Sequence, residues 1–208
     1  MELRSLLFGD FMVPSADPQL YVELTDAPRL AAVVEDYLAE YNAGSKRPMA
    51  LVLFAFALEH VCRICRVLRR PGGHALLVGL GGSGRQSLTR LAAFIEGCPV
   101  YQVELTASYS RADWADDLKA AMRAAGEKGA PTVFLLSDTQ VQEEFEMVED
   151  IANLLSTGEV PNLFDASDQA RVVLCCARSA AVPFWRAPRG PLLPSAHALT
   201  VSDMPRRR

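Results

Sequence analysis

A glycine-rich loop between an apolar strand and a helix is the feature that most restricts the fold of this chain. Residues 74–80 form a short apolar run of strand length, and residues 85–95 carry apolar side chains at helical spacing. Four glycines lie in the loop between them: Gly79, Gly81, Gly82 and Gly84. Such a loop can turn its backbone N–H groups inward, where the positive end of the helix dipole adds to them. The pattern predicts a phosphate-binding loop.

The loop departs from the phosphate-loop template, G-x-x-x-x-G-K-[ST]. Gly79 and Gly84 fill the glycine positions, whereas Arg85 replaces the lysine and Gln86 replaces the hydroxyl residue. A guanidinium group binds phosphate well, although it is bulkier and more rigid than an ammonium group. An amide oxygen is a poorer Mg²⁺ ligand in that position. Ser87 cannot replace it, because it lies about 100° further around the helix. We therefore expect Mg²⁺ binding to be weakened.

Nucleotide hydrolysis also needs an acid that holds the metal and a group that activates water. Asp138 is the candidate acid, because it follows the apolar strand predicted over residues 132–136. The next position is Thr139, where hydrolases of this type usually carry glutamate, and Gln140 is the remaining group that could orient water. Without a carboxylate there is no strong general base. We predict nucleotide binding without turnover, and no catalytic residue.

Each of these features also fits a structural role on its own. A glycine-rich loop can be an ordinary tight turn, and an aspartate at a strand end often caps a helix. Their joint presence in this order favours the phosphate-binding interpretation.

The remainder of the chain alternates strands with helices, which predicts an α/β fold with a parallel sheet sandwiched by helices. Helices are predicted over residues 30–41, 49–70, 85–95, 111–125 (capped by Ser110) and 143–155, and strands over 74–80, 100–105, 132–136 and 171–176. The predicted domains are an N-terminal connecting segment (1–48), a core (49–177) and a disordered Arg/Pro-rich tail (178–208).

Composition restricts the partners of the chain. Residues 1–168 contain 14 Lys and Arg against 24 Asp and Glu, a balance that argues against nucleic acid as a partner. The apolar stretch over residues 49–58 is too short to span a bilayer, and no signal peptide is evident, so we expect a soluble, intracellular protein without a membrane partner.

Cys62 and Cys65 form a C-x-x-C pair inside a predicted helix, which favours a structural role over redox or metal chemistry. Arg63, Arg66 and Arg70 share one helical face, which favours a solvated or acid-paired surface.

Several stretches resemble the fourth AAA+ module of axonemal dynein heavy chains. The loop sequence LLVGLGGSGRQSLTRLA (76–92) is similar to the phosphate loop of that module. Four further stretches agree with it: YLAEYN (37–42), EHVCRICRVL (59–68), FLLSDTQ (134–140) and EDIANLLSTGEVPNLF (149–164). The resemblance covers residues 3–168.

The resemblance implies a P-loop module of the AAA+ type that binds ATP or ADP and regulates a motor ring. By position, Asp138 would contact Mg²⁺ or its water shell. The implied phosphate contacts are Gly79, Leu80, Gly81, Gly82, Ser83, Gly84, Arg85, Gln86 and Ser87. Implied partners are the other modules of a dynein heavy chain, dynein intermediate and light chains, and microtubules. The implied location is the cytoskeleton of a cilium or flagellum, in the axoneme.

The chain also departs from the family pattern. The strand around residues 172–175 resembles the one that carries the sensor residue, but the familiar sequence after it is lost and no helical lid subdomain follows. We therefore expect a module truncated before its lid. Two alternatives stay open: a free-standing small P-loop NTPase or kinase, and a structural fragment that binds no nucleotide.

Overall fold

The computed structural model describes residues 6–13, 18–70, 72–128, 131–141, 146–165, 167–168 and 196–204. The chain divides into two compact units. The first comprises Met1–Ala75, Gly79–Pro99 and Met204–Arg208, and the second comprises Leu76–Val78 and Val100–Asp203. Among the described helices, none is both long enough and apolar enough to cross a lipid bilayer.

Three packed helices build the first unit. They are α1 (Ala27–Gly44), α2 (Ala55–Leu68) and α3 (Arg85–Ile95), and each contacts the other two. A short antiparallel hairpin of β1 (Phe8–Gly9) and β2 (Val22–Glu23) accompanies them, with β1 packed against α2. Helix α3 has the bounds that its apolar spacing predicts, whereas α1 is longer than predicted at both ends.

Helix α2 begins later than its apolar run predicts. We expected a helix from residue 49, but α2 starts at Ala55. The reason lies in Asn42, whose side-chain amide pairs with the main chain of Met49. Its Oδ1 accepts the Met49 N–H at 2.7 Å, and its Nδ2 donates to the Met49 carbonyl oxygen at 2.9 Å. These bonds satisfy the Met49 peptide groups outside a helix, and a run of apolar residues fits either conformation.

The C-x-x-C pair lies in the interior of the first unit. Cys62 and Cys65 are both buried on α2, and the Cys65 thiol donates a weak hydrogen bond to the Ala92 carbonyl oxygen at 3.8 Å. Burial raises the pKa of Cys62 to about 11 and that of Cys65 well above its usual value. Both thiols are therefore protonated at neutral pH, which agrees with the predicted structural role.

The second unit is built on a four-stranded sheet. The strands of the sheet are β3 (Ala75–Leu80), β4 (Val100–Gln102), β5 (Thr132–Ser137) and β6 (Ala196–Met204), in the spatial order β3-β6-β5-β4. Leu76–Val78 of β3 and all of β6 except Met204 belong to this unit. The central strand β5 pairs in parallel with β4 and with β6, and all its residues are buried. A parallel strand without a polar face is typical of α/β folds. The predicted fold class is confirmed.

Strand β6 lies in the part of the chain that we expected to be a disordered tail. Its register runs from Ala196 opposite Thr132 to Val201 opposite Ser137. This pairing supplies main-chain hydrogen bonds from a strand distant in sequence, which local composition does not reveal. The strand predicted over residues 171–176 and the remainder of the tail lie outside the described residues.

Two helices complete the second unit, α4 (Arg111–Lys128) and α5 (Met147–Thr157). Ser110 caps α4 as predicted: its hydroxyl accepts the Asp113 N–H at 3.4 Å, and the Asp113 carboxylate accepts the Ser110 N–H at 2.9 Å. Helix α5 begins at Met147, and residues 142–145, where the predicted helix begins, lie outside the described part of the chain. The core includes Trp114, Leu118, Phe134, Leu136, Met147 and Leu154.

Candidate functional site

The glycine loop makes a tight turn between β3 and α3. The Ser83 N–H donates to the Leu80 carbonyl oxygen at 3.2 Å and closes the turn. Gly82 and Gly84 have φ angles of 80° and 74°. Residues with a β-carbon rarely adopt these left-handed conformations. The loop therefore requires glycine at these two positions for its own geometry.

The N-terminus of α3 faces the loop without a capping side chain. Gly84 is the N-cap, and the first helical hydrogen bond runs from the Leu88 N–H to the Gly84 carbonyl oxygen at 2.8 Å. The N–H groups of the first turn therefore have no acceptor within the helix. A β-carbon placed on Gly81 or Gly82 would meet no described atom within 4 Å. Open space beside uncapped N–H groups fits an anionic phosphate group.

Arg85 folds back across the loop. Its Nη2 donates to the Leu80 carbonyl oxygen at 2.9 Å. Its Cδ and Nε would lie 3.4 and 3.5 Å from a β-carbon at Gly79. The sequence predicted Arg85 as a phosphate-binding cation, but the position of the guanidinium on a loop carbonyl was not predictable from the residue type. In this conformation the Arg85 side chain stabilises the loop through a hydrogen bond to its backbone.

The next residues of the first turn are held by the helix behind them. Gln86 and Ser87 are half-buried, whereas Leu88 is buried. The Thr89 hydroxyl donates to the Arg85 carbonyl oxygen at 2.9 Å. Because Leu91 and Ala92 are fully buried further along α3, the position of the first turn is fixed by the core of the first unit.

Asp138 lies directly after β5, at the start of a short 3₁₀ helix, Asp138–Gln140. Its Oδ1 accepts the N–H of Thr139 at 2.8 Å. Asp138, the candidate acid, belongs to the second unit, whereas residues 79–87, the candidate phosphate loop, belong to the first. Each is therefore described within its own unit. No group of three or more His, Cys, Asp or Glu side chains suited to a metal occurs in the described part of the chain.

Gln140 joins the ends of two strands. Its Oε1 accepts the Ser137 N–H at 2.9 Å and the Ser137 hydroxyl at 2.8 Å. Its Nε2 donates to the carbonyl oxygen of Val103, just beyond β4. The sequence suggested Gln140 as a group that could orient water. In the structure, both the oxygen and the nitrogen of its side-chain amide are instead hydrogen-bonded to protein groups.

A second polar cluster in the same unit surrounds Asp150, which is 6% exposed. The Trp114 indole donates to Asp150 Oδ2 at 2.8 Å, and the Arg111 guanidinium donates to the same oxygen. The buried carboxylate thus links the start of α4 to α5. The sequence offered no signal for this contact, because the partners are 36 and 39 positions apart.

A third cluster pairs two tyrosines with one carboxylate. The hydroxyls of Tyr101 and Tyr109 donate to the two oxygens of Asp117 at 2.7 and 2.6 Å. Burial, together with the hydrogen bond to Asp117, raises the pKa of Tyr101 to about 12 and also raises that of Tyr109. These contacts tie β4 and the following loop to α4.

Comparison with known proteins identifies relatives of this chain. A family model described as "P-loop containing dynein motor region D4" matches residues 49–182, which is more than half of the chain. The chain is 50% identical over 171 residues to dynein axonemal heavy chain 3 of Mus musculus, an alignment that covers 82% of this chain and 4% of that protein. It is 43% identical over 170 residues to dynein axonemal heavy chain 1 of Homo sapiens, covering 82% of this chain and 4% of that protein.

A third relative agrees with these two. Dynein axonemal heavy chain 2 of Homo sapiens is 46% identical over 180 residues, which cover 81% of this chain and 4% of the human protein. The chain thus spans about 4% of the length of the curated relatives that it matches.

Proposed function

Because this chain belongs to the family of the P-loop containing dynein motor region D4, we propose that it is a regulatory module that binds ATP or ADP at residues 79–87 and does not hydrolyse it. The proposal rests on one observation above all. The uncapped N-terminus of α3 meets a glycine turn, and the space beside Gly81 and Gly82 is open among the described residues. Phosphate oxygens suit such a position, because they accept hydrogen bonds from backbone N–H groups.

The absence of hydrolysis is inferred from the turn after β5. A hydrolase needs a group near the attacking water that accepts its proton or orients it. Thr139 carries no carboxylate, and the amide of Gln140 is already bonded to Ser137 and Val103. Reorienting Gln140 toward water would leave the Val103 carbonyl without this donor. We therefore expect the turn to support binding and to provide no general base.

Asp138 is the residue that would contact Mg²⁺ or its water shell. Magnesium is usually bound by one or two carboxylates, phosphate oxygens and water, and Asp138 supplies a carboxylate of the right chemistry. When bound, the ion would neutralise phosphate charge. The amide of Gln86 is a weaker ligand than a hydroxyl, so we propose that Mg²⁺ increases nucleotide affinity only slightly.

We also propose a setting for the module within a longer protein. The relatives are named as axonemal dynein heavy chains, and this chain matches only a small share of their length. In such a chain it would sit beside other AAA+ modules and contribute to movement along microtubules, with intermediate and light chains as further partners. The proposed location is the axoneme of a cilium or flagellum.

The proposal is tested by titrating the purified 208-residue chain with fluorescent ATP and ADP, with and without Mg²⁺. We expect saturable binding of both nucleotides, a small effect of Mg²⁺, and no phosphate release above background. A Gly84→Asp variant is the control, because it places a negatively charged carboxylate in the proposed phosphate-binding loop, at a position with positive φ. Binding should be lost in this variant.

Two outcomes would contradict the proposal in different ways. A folded wild-type sample that binds neither nucleotide would support the alternative of a structural fragment. Phosphate release that disappears in an Asp138→Ala variant would show that the module hydrolyses nucleotide after all.

A further inference from the structure

The first unit contains a cleft of about 460 Å³ that none of the predicted phosphate-binding residues lines. Its lining residues are Asp10, Gln19, Tyr21, Arg66, Arg69 and Arg70. A volume of this size lies within the range typical of ligand pockets, about 300–1,000 Å³, and exceeds what a single small ion requires. Three of the six lining residues carry a guanidinium group, in a chain whose first 168 residues are strongly acidic.

Arg69 is engaged in building the cleft. Its guanidinium forms an ion pair with the buried carboxylate of Asp10, and its Nε lies 3.7 Å from Oε2 of Glu96. Its Nη2 also donates to the side-chain carbonyl of Gln19 at 3.4 Å. Arg69 and the one acidic residue of the lining therefore neutralise each other. The Arg69 guanidinium is therefore already paired with groups of the protein.

Arg66 and Arg70 are placed differently. Both are exposed, and neither guanidinium group has a hydrogen-bond or ion-pair partner among the described residues. Arg66 lies in the last turn of α2 and Arg70 two residues beyond its end, and both line the same cleft. The C-terminal end of the helix dipole is equivalent to about half a negative charge, which does not balance two guanidinium groups. The cleft thus keeps an uncompensated positive charge.

Tyr21 supplies a different kind of surface in the same cleft. Its side chain is 46% exposed, and its ring stacks on Phe8 at 6.1 Å between centroids. The ring therefore offers the cleft an ordered apolar wall beside the charged groups. A ligand that carries both anionic groups and a short apolar chain would match this lining.

We propose that this cleft binds an acidic protein segment, with carboxylates of the segment paired to Arg66 and Arg70. Guanidinium groups form paired, charge-assisted hydrogen bonds with carboxylates, and the methylene groups of an acidic side chain can lie against Tyr21. The size of the cleft and the presence of two guanidinium groups in its lining favour a peptide segment over an isolated ion. The site does not depend on nucleotide binding at residues 79–87.

The experiment uses the full chain and a fluorescently labelled oligoglutamate peptide, followed by fluorescence anisotropy, with an oligoglutamine peptide as the neutral comparison. We expect saturable binding of oligoglutamate only. The double variant Arg66→Gln/Arg70→Gln should weaken binding at least about tenfold, since both charge-assisted contacts to the carboxylates are lost. The matched control is Arg29→Gln/Lys46→Gln, which removes two exposed charges outside the cleft.

Further arms make each outcome decisive. Equal weakening by the two double variants would mean non-specific charge attraction and would overturn the proposal. Displacement of the peptide by pyrophosphate at concentrations where free glutamate has no effect would assign the cleft to phosphate and also overturn the proposal.

Thermal unfolding checks that the variants fold. If the glutamine variant does not fold, Arg66→Lys/Arg70→Lys keeps the charge and should still weaken binding through loss of the paired geometry. A Gly84→Asp variant should bind the peptide normally.

Discussion

The guanidinium of Arg85 donates a hydrogen bond to the carbonyl oxygen of Leu80 at 2.9 Å, across the turn that precedes its own helix. The same side chain lies over Gly79, where a β-carbon would come within 3.4 Å of its Cδ. A cation that would otherwise face a phosphate group is thereby attached to the backbone of the loop. If a phosphate group binds at this loop as proposed, a guanidinium that turned its fork fully towards the phosphate would give up this bond.

An Arg85→Lys variant should bind ATP about fivefold more tightly than the wild type. A lysine lacks the planar fork that reaches Leu80, so about 1 kcal/mol of loop contact no longer opposes binding. The titration with fluorescent ATP described above measures the change, and Arg29→Lys on the exposed side of α1 serves as the control. Weaker binding in Arg85→Lys would mean that the arginine fork contacts phosphate directly.

The loop glycines should differ in their tolerance of alanine. Gly82 has a φ of 80°, whereas Gly81 has no positive φ, and no described atom lies within 4 Å of a β-carbon at either position. We expect Gly82→Ala to reduce the free energy of unfolding by about 1 kcal/mol through backbone strain, and Gly81→Ala to change it by less than about half of that. Urea denaturation without nucleotide measures both. Equal losses would contradict this account, because the two positions differ in φ and not in the space around a β-carbon.

Removing the Asp150 carboxylate should destabilise the second unit. Asp150→Ala leaves the Trp114 indole N–H buried without its acceptor and takes a partner from Arg111, which together cost about 2 kcal/mol. The control is Asp116→Ala, because the Asp116 side chain is 76% exposed and its ion pair with Lys119 is a surface one. Chemical denaturation followed by tryptophan fluorescence compares the variants. A loss in Asp116→Ala as large as in Asp150→Ala would contradict this account.

The tyrosine cluster should make stability fall at high pH. Burial and the bond to Asp117 raise the pKa of Tyr101 from 10.0 to about 12, so the folded chain holds this proton more tightly than the unfolded chain. The resulting stability is fully present below pH 10 and is lost as the pH rises through about 12. Ultraviolet titration of phenolate should show one late-ionising tyrosine fewer in Tyr101→Phe. In Asp117→Asn the pKa of Tyr101 should move towards 10.0 without reaching it, because burial remains.

The elements that local patterns specify were predictable. Helix α3 matches its predicted bounds because Gly84 ends the loop and Leu88 and Leu91 mark one apolar face. The parallel sheet followed from apolar strands alternating with helices. The start of α2 was wrong because the amide of Asn42 binds the backbone of Met49, a contact between distant positions that periodicity does not contain.

The candidate site divides in the same way. Residue types at fixed spacing predicted the glycine loop and Asp138, and these assignments remain predictions. The side-chain directions of Arg85 and Gln140 were not predictable, since each depends on a rotamer chosen by nearby carbonyl groups. Strand β6 was missed because its main partner, β5, lies about 60 residues earlier in the chain.

The contacts of Gln140 consist of amide, hydroxyl and carbonyl groups, none of which gains or loses a proton in the physiological range. A carboxylate in this place would change its charge with acidity and would repel the carbonyl oxygen of Val103 when ionised. The hydrogen bonds of Gln140 between the ends of β4 and β5 therefore join uncharged groups only. The hold of Gln140 on this turn therefore does not depend on the charge state of any of the groups that it contacts.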